Sequence, residues 1–246
     1  MNDTVPPSRA AILLVQLGTP DKPEVPEVRR YLREFLTDRR VVEQSPLIWW
    51  PILYSMVLTR RPKESAEKYR SIWTKAGSPL LVNTKLVAEA LQDELNKRGR
   101  QVEVVWAMRY GNPSMVEALR DLRDRGFSRI VVLPMYPQYS AATSGTVFDV
   151  IAREFLQWRS IPALRFLQSF HDDPGYIAAV AESIRHFWRQ SEAGKPEKLI
   201  FSFHGLPQSC VDQGDPYVKQ CQESAALIAG ALGLAKEDWL LTFQSR

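Results

Sequence analysis

The stretch AILLVQLGTP, residues 11–20, is the segment of this sequence that best indicates the fold. Its first six residues, Ala11–Gln16, are almost all aliphatic, which is typical of a strand buried on both faces of a parallel sheet. Gly18, Thr19 and Pro20 then end the pattern with a turn. The apolar run from Ala10 to Leu17 is short and lacks the small-residue cleavage site of a signal peptide. We therefore interpret it as a first buried strand.

Similar apolar runs recur along the chain, and helical patterns lie between them. The predicted strands are Ala11–Gln16, Val102–Met108, Ile130–Met135, Ala163–Leu167, Leu199–Phe203 and Leu240–Phe243. One predicted helix covers Thr84–Lys97, with its apolar stripe at Leu86, Val87, Ala90, Leu91 and Leu95. Three more are predicted to begin where a capping residue precedes proline, at Asn112-Pro113, Asp173-Pro174 and Asp215-Pro216. The alternation predicts an α/β protein with doubly wound parallel sheets.

Composition and charge exclude several classes of protein. Of 246 residues, 45% are hydrophobic and 24% are charged, which is typical of a globular protein and not of a disordered or collagen-like one. The net charge of +4 is small and interspersed, so we expect no nucleic-acid partner. Cys210 and Cys221 lack metal-ligand spacing and form no disulfide framework. The sequence therefore fits a protein of the reducing cytoplasm.

The length and the alternation of elements predict two domains. The seam is expected near Trp158–Pro162, which gives a first domain of residues 1–160 and a second of residues 161–246. The last predicted strand is followed only by Gln244, Ser245 and Arg246, with no helix to cover it. We therefore expect the second domain to be incomplete and the chain to be truncated at its C-terminal side.

The stretch PLIWWPILYSMVL, residues 46–58, has two competing interpretations. It is well short of the ~20 residues needed to cross a bilayer. Trp49 and Trp50 are residue types found at membrane interfaces, and Arg60 and Arg61 follow to meet anionic headgroups. The alternative is a helix that turns its apolar face to the core, and the residues alone favour this alternative.

Residues that directly follow the predicted strands are the candidates for chemistry, because ligands of open α/β sheets bind beyond the carboxyl ends of the strands. His204 follows Leu199–Phe203, so we expect its imidazole at a dry crevice floor as a base or metal ligand. The alternative is a structural histidine bonded to a backbone carbonyl. Arg109 is either an anion clamp or a residue paired across the strand ends. His171 is expected to orient a turn, and His186 to lie on a solvated helix face.

Other residues at the strand ends limit the chemical classes of ligand that this site could bind. The sequence contains neither G-x-G-x-x-G nor G-x-x-x-x-G-K-[ST], which argues against dinucleotide and P-loop sites. Tyr110, Tyr136 and Tyr139 offer flat faces with hydroxyl tips. Together with Arg109, they suit a planar, largely apolar ligand that carries carboxylates.

Several motifs, taken in order, resemble those of the ferrochelatase family. They are LLVQLGTP (13–20), YLREFLTDRRV (31–41), RRPKESAEKYRSIW (60–73), GSPL (77–80), MRYGNPS (108–114), LPMYPQYSAATSG (133–145), FSFHGLP (201–207), GDPY (214–217) and FQSR (243–246). They cover nearly the whole chain, and FSFHGLP, GDPY and YPQYS are specific as a set.

The resemblance implies two similar Rossmann-like α/β domains with a porphyrin cleft between them, and insertion of ferrous iron into protoporphyrin IX to give protohaem. His204 matches the family's active-site histidine, which acts in pyrrole proton removal or metal contact. The implied substrate-binding positions are Leu17, Arg109, Tyr110, Tyr136, Gln138 and Ser140, the last three in a loop assigned to the first domain. Residues 46–61 match a hydrophobic lip beside the cleft, which shifts the interpretation of Trp49, Trp50, Arg60 and Arg61 towards membrane contact.

The resemblance also implies what this chain lacks. The family's second catalytic group, a glutamate, follows the QS[KR] motif and lies beyond Arg246. We therefore expect residues 1–246 to be marginally stable or poorly soluble, and to bind porphyrin without appreciable metal insertion. Ala141 stands where animal-type members have an iron–sulfur cysteine, so we expect no cluster and no permanently bound cofactor, with Fe²⁺ as a substrate. The expected location is the cytoplasm, with peripheral contact at the inner membrane.

Three alternatives remain at this point. A cobalt or nickel chelatase of sirohydrochlorin-type rings would need several arginines for many carboxylates, instead of Trp49 and Trp50. A non-catalytic porphyrin-binding protein is the second alternative. A periplasmic-type two-domain binding protein is the third, and the lack of an export signal argues against it.

Overall fold

The computed structural model describes residues 9–192, 194 and 196–244, so Ser245 and Arg246 of the FQSR motif lie outside the described residues. The chain divides into two compact units. The first runs to residue 135 and takes in residues 141–168, and the second consists of residues 136–140 and the chain from residue 169 onward.

The first unit contains a parallel sheet with the strand order β2-β1-β3-β4. Its strands are β1 (Arg9–Thr19), β2 (Val102–Gly111), β3 (Phe127–Pro134) and β4 (Ala163–Phe166). Leu13, Leu14 and Val15 of β1 are all fully buried. Successive side chains of a strand point to opposite faces, so both faces of β1 are covered. The predicted α/β class with parallel sheets is confirmed.

The described part of the first unit contains six α-helices. They are α1 (Val25–Leu36), α2 (Pro46–Ile52), α3 (Leu58–Ile72), α4 (Pro79–Lys97), α5 (Met115–Asp124) and α6 (Thr146–Phe155), with π-helical turns at Leu53–Val57 and Ala141–Gly145. Of these helices, α1, α4 and α5 contact the sheet. The stripe predicted for α4 is partly wrong, because Leu86 and Val87 are exposed whereas Thr84 and Ala88 are buried. Leu91 and Leu95 of the predicted stripe are half-buried; the helix has apolar residues on two sides, and contact with β1 and β2 decides which side is covered.

The second unit holds a parallel pair of strands, β5 (Leu199–His204) and β6 (Trp239–Gln244). Its helices are α7 (Pro174–Gln190), α8 (Gln208–Asp212) and α9 (Tyr217–Ala231), with a 3₁₀ turn at Lys236–Asp238. Burial alternates along β5, so that Phe201 and Phe203 are half-buried while Ile200 and His204 are exposed. In the described residues, therefore, only one face of this sheet is covered.

The helix starts agree only in part with the predictions. The Asp173 side chain accepts a hydrogen bond of 2.9 Å from the backbone N–H of Tyr176, and Pro174 is the first residue of α7, as predicted. The predicted start at Pro113 is wrong, because its carbonyl oxygen accepts the backbone N–H of Met108 at 2.8 Å and α5 begins only at Met115. Helix α9 begins at Tyr217, directly after Pro216.

The division of the chain differs from the boundary placed between residues 160 and 161. Strand β4 pairs with β3, with Ala163 opposite Arg129, and so belongs to the first unit. Residues 136–140 group with the second unit instead of the first. Both differences arise from contacts between residues far apart in sequence, which local composition does not reveal.

Candidate active site

The carboxyl ends of β1 and β2 approach each other so closely that glycine is required. Gly18 has a φ of +116°, and a Cβ atom there would lie 1.8 Å from the carbonyl oxygen of Tyr110. Gly111 has a φ of +85°, and its Cβ would lie 2.7 Å from the carbonyl oxygen of Thr19. No L-residue fits either position without moving the backbone. Leu17, the predicted substrate contact beside Gly18, is half-buried at this edge.

Arg109 and Asp38 form a buried ion pair, and their side chains are 8% and 6% exposed, respectively. The Nε of Arg109 also donates to the carbonyl oxygen of Thr146 at 3.0 Å. The structure therefore shows Arg109 paired with a carboxylate in the turn after α1 and with the start of α6, and not with a group at another strand end. Binding a carboxylate of a ligand would require Arg109 to release Asp38, which would leave a buried charge uncompensated.

Tyr110 is held by the same carboxylate. Its hydroxyl donates to Oδ2 of Asp38 at 3.0 Å, and the Arg109 guanidinium lies 4.2 Å from the centre of its ring. The residue is 1% exposed, and burial raises the pKa of its hydroxyl well above the ordinary range. Tyr110 is thus a neutral, fixed part of the wall at this edge.

Sequence reasoning missed the residues that hold this edge together. Asp38 belongs to the quoted YLREFLTDRRV motif, which was the only signal for it. In the same motif, Glu34 accepts the backbone N–H of Gly111 at 2.9 Å, and burial raises the pKa of its carboxyl. The hydroxyl of Thr19 donates to Ser78 of GSPL at 2.9 Å. Four motifs distant in sequence therefore meet at the ends of β1 and β2.

In the second unit, residues 136–140 of the YPQYS motif are fixed against α9. The amide of Gln138 donates to the Ser224 hydroxyl at 2.8 Å, and the backbone N–H of Tyr139 donates to Gln220 Oε1 at 2.7 Å. The Ser140 hydroxyl donates to Asp215 Oδ2 at 2.9 Å. Gln138 and Ser140 are buried, so their polar groups position this loop, while Tyr136 is half-buried.

The GDPY motif connects this loop to the strand that carries His204. Asp215, which binds Ser140, also accepts the backbone N–H of Tyr217 at 3.0 Å through Oδ1. Burial is the main cause that raises the pKa of the Tyr217 hydroxyl, and the nearby backbone of His204 acts in the opposite direction. The loop and the start of α9 thus form one hydrogen-bonded group within the second unit, and Tyr217 brings this group close to the end of β5.

His204 is exposed, on the open face of the β5–β6 pair, so the expectation of a dry position for its ring is not met in this structure. Ile200 shares that face because side chains alternate along β5. Nδ1 of His204 lies 2.7 Å from the carbonyl oxygen of Gly205. The backbone contact suggested as a structural alternative is therefore present, and it involves only one of the two ring nitrogens.

His171 joins this group through its backbone carbonyl oxygen, whereas His186 lies apart from it. Nε2 of His171 lies 2.8 Å from Glu223 Oε2, and the His171 carbonyl oxygen accepts the Ser224 hydroxyl at 2.7 Å. His186 is exposed on α7. Within residues 9–192, 194 and 196–244, no group of three or more His, Cys, Asp or Glu side chains is arranged to hold a metal ion.

The two adjacent tryptophans of segment 46–61 differ in their exposure to solvent. Trp49 is half-buried, and its indole N–H donates to the carbonyl oxygen of Leu36 at 2.7 Å. Trp50 is 50% exposed, and we call the exposed apolar side chains around it the apolar lip, which consists of Leu47, Ile48, Trp50, Ile52, Tyr54 and Met56. Arg60 and Arg61 are exposed on α3. No helix among the described residues is long and apolar enough to cross a membrane.

Comparisons with known proteins identify the family. The family model described as Ferrochelatase matches residues 9–246. A ferrochelatase of Methylococcus capsulatus is 53% identical over 239 residues, which cover 97% of this chain and 71% of the relative. A ferrochelatase of Aromatoleum aromaticum is 49% identical, and the match covers 98% of this chain and 66% of the relative. A ferrochelatase of a Polaromonas species is 51% identical, and the match covers 96% of this chain and 64% of the relative. The chain thus spans about two thirds of the length of these relatives, and it belongs to the ferrochelatase family.

Proposed function

We propose that this protein takes part in the insertion of ferrous iron into protoporphyrin IX, which yields protohaem. The observation that carries the proposal is the family match over residues 9–246 together with the position of His204 at the end of β5 in the FSFHGLP motif. In this reaction two pyrrole N–H protons leave as Fe²⁺ enters the ring. The enzyme therefore needs a proton acceptor and a weak metal contact near the ring nitrogens.

The hydrogen bond to Gly205 suits His204 to either role. A carbonyl oxygen only accepts hydrogen bonds, so Nδ1 carries the ring proton of the neutral imidazole. Nε2 then keeps a free lone pair, which can accept a pyrrole proton or bind ferrous iron. His204 is our candidate catalytic and metal-contacting residue.

The proposed porphyrin contacts fall into two groups by their environment. Leu17 and Tyr136 are half-buried, and we assign them to contact with the ring. Arg109, Tyr110, Gln138 and Ser140 are buried and bonded to neighbouring groups, so they fix the shape of the wall and the loop. We propose that the protein holds no permanently bound cofactor and no iron–sulfur cluster, and that iron is a substrate.

We also propose a peripheral contact of the apolar lip with the inner membrane, for a protein of the cytoplasm with no nucleic-acid partner. Leu47 is 88% exposed and Trp50 50%, and both are residue types that enter the interfacial layer of a bilayer. An apolar substrate such as protoporphyrin dissolves in lipid, so contact with the membrane would shorten its path to the enzyme.

Absorbance and fluorescence titration tests the main proposal. Protoporphyrin IX is added to the protein, and ferrous or zinc ion follows under anaerobic conditions. We expect saturable porphyrin binding by residues 1–246, and formation of the metalloporphyrin spectrum faster than without protein once the chain carries the glutamate that the family resemblance implies. Binding without metalation by that longer chain would support the non-catalytic alternative, and preference for sirohydrochlorin with cobalt or nickel would support the other chelatase.

A further inference from the structure

A groove between α1 and the start of α3 carries positive charge that the proposed iron insertion does not use. Its volume is about 410 Å³. Arg29, Arg30 and Arg33 of α1 line it together with Tyr54 and Thr59. We call this feature the arginine groove.

The three arginines of the groove differ in their ion pairing. Arg30 forms an ion pair with Asp21. Arg29 and Arg33 are exposed, and among the described residues neither forms an ion pair with a carboxylate. They stand four residues apart on one helix, where two like charges destabilise the helix. An anion bound between them would remove this repulsion.

The arginine groove is continuous with the apolar lip, because Tyr54 belongs to both. Apolar side chains beside unpaired arginines match the chemistry of a phospholipid, whose chains are apolar and whose phosphate is anionic. One carboxylate, Glu27, also lines the groove and partly offsets the arginines. The geometry points to a binding site for the phosphate of an anionic phospholipid, held by Arg29 and Arg33 at the edge of the apolar lip.

This inference rests on the proposed membrane contact and makes it more specific. The apolar lip alone predicts binding to any fluid bilayer. The arginine groove predicts, in addition, that the protein prefers bilayers with anionic headgroups and that this preference depends on Arg29 and Arg33.

Vesicle flotation tests the inference with two kinds of vesicle, phosphatidylcholine alone and phosphatidylcholine mixed with phosphatidylglycerol. We expect the unmodified protein to bind the mixed vesicles more tightly. The double variant Arg29→Gln/Arg33→Gln should lose roughly tenfold or more of its binding to mixed vesicles and keep its binding to phosphatidylcholine. Glu27→Gln should strengthen binding to mixed vesicles.

A matched control removes two exposed positive charges elsewhere in the same unit. Lys97→Gln/Arg100→Gln changes the net charge equally, at the end of α4 and just beyond it. We expect it to lose less than about threefold of its binding to mixed vesicles. Circular dichroism of both double variants should match that of the unmodified protein.

Several results would overturn the inference. An equal loss in the control pair would show that only net charge matters. Full binding by Arg29→Gln/Arg33→Gln would show that the arginine groove is not used, while the apolar lip could still account for membrane contact. If inorganic phosphate bound the unmodified protein but not Arg29→Gln/Arg33→Gln, while the unmodified protein showed no preference for mixed vesicles, the site would bind free phosphate and not lipid. If the unmodified protein bound neither vesicle, the membrane contact itself would be contradicted, and porphyrin titration would still test iron insertion separately.

Discussion

Nδ1 of His204 is hydrogen-bonded at 2.7 Å to the carbonyl oxygen of Gly205, the residue that follows it. The contact leaves Nε2 as the only ring nitrogen with a lone pair. His204→Asn keeps a side-chain donor near the position of Nδ1 and removes Nε2. In a chain that carries the glutamate implied by the family resemblance, we expect this variant and His204→Ala to lose metal insertion, with little change in thermal stability because the side chain is exposed.

The control for His204 is His186→Ala, an exposed histidine on α7 with no assigned role. Initial rates of zinc or ferrous insertion into protoporphyrin are compared, with circular dichroism to establish that each variant is folded. Near-normal turnover by folded His204→Asn would contradict the role of Nε2.

The two adjacent tryptophans should respond differently to replacement. Trp50→Ser should weaken vesicle binding with little loss of stability, since Trp50 is half-exposed in the apolar lip. Trp49→Ser removes a half-buried ring and the hydrogen bond to Leu36, and should lower the free energy of unfolding by about 2 kcal/mol. Urea denaturation and vesicle flotation measure the two effects. Equal destabilisation by both variants would argue against an exposed lip.

Replacement of Arg109 should act mainly on stability. Arg109→Ala leaves the Asp38 carboxylate buried without its partner, and the free energy of unfolding should fall by about 3–5 kcal/mol. Arg98→Ala breaks an exposed pair with Glu94 and should cost under about 1 kcal/mol. Urea denaturation measures both variants. An Arg109→Ala protein with normal stability and weakened porphyrin binding would restore the anion-clamp interpretation.

Gly18 should tolerate no side chain. Gly18→Ala combines a φ of +116° with a clash against the Tyr110 carbonyl oxygen, and should cost more than about 4 kcal/mol of stability. Gly77 has nearly the same φ, +114°, with no atom within 4 Å of an added Cβ, so Gly77→Ala should cost only about 1–2 kcal/mol. Soluble yield and urea denaturation compare the two. Similar costs would show that β1 and β2 can separate at this edge.

Cys221 should make stability depend on pH in the alkaline range. Burial raises the pKa of its thiol from 9.0 to about 11. Between these values the unfolded chain has lost the thiol proton and the folded chain keeps it, so the free energy of unfolding falls as pH rises through this window. The expected loss is about 2 kcal/mol. Cys221→Ala should remove this part of the decline, and urea denaturation from pH 8 to 11 measures it. An identical decline in the variant would contradict the shifted thiol.

The sequence by itself determined the six strands, their parallel α/β arrangement and the motifs that mark the family. These features are local. A run such as Ala11–Gln16 predicts a strand buried on both faces, since an exposed face would require polar residues at alternate positions. The FSFHGLP motif likewise placed His204 at the end of a strand, where the structure has it.

Only the tertiary structure decided how these elements are used. It paired Arg109 with Asp38 and bound residues 136–140 to α9. It also exposed Trp50 while anchoring Trp49. Each outcome depends on a partner distant in sequence, and an arginine or a tryptophan has the same local pattern whether its partner is present or absent. The same reason explains α4, where two apolar sides were available and contact with the sheet chose between them.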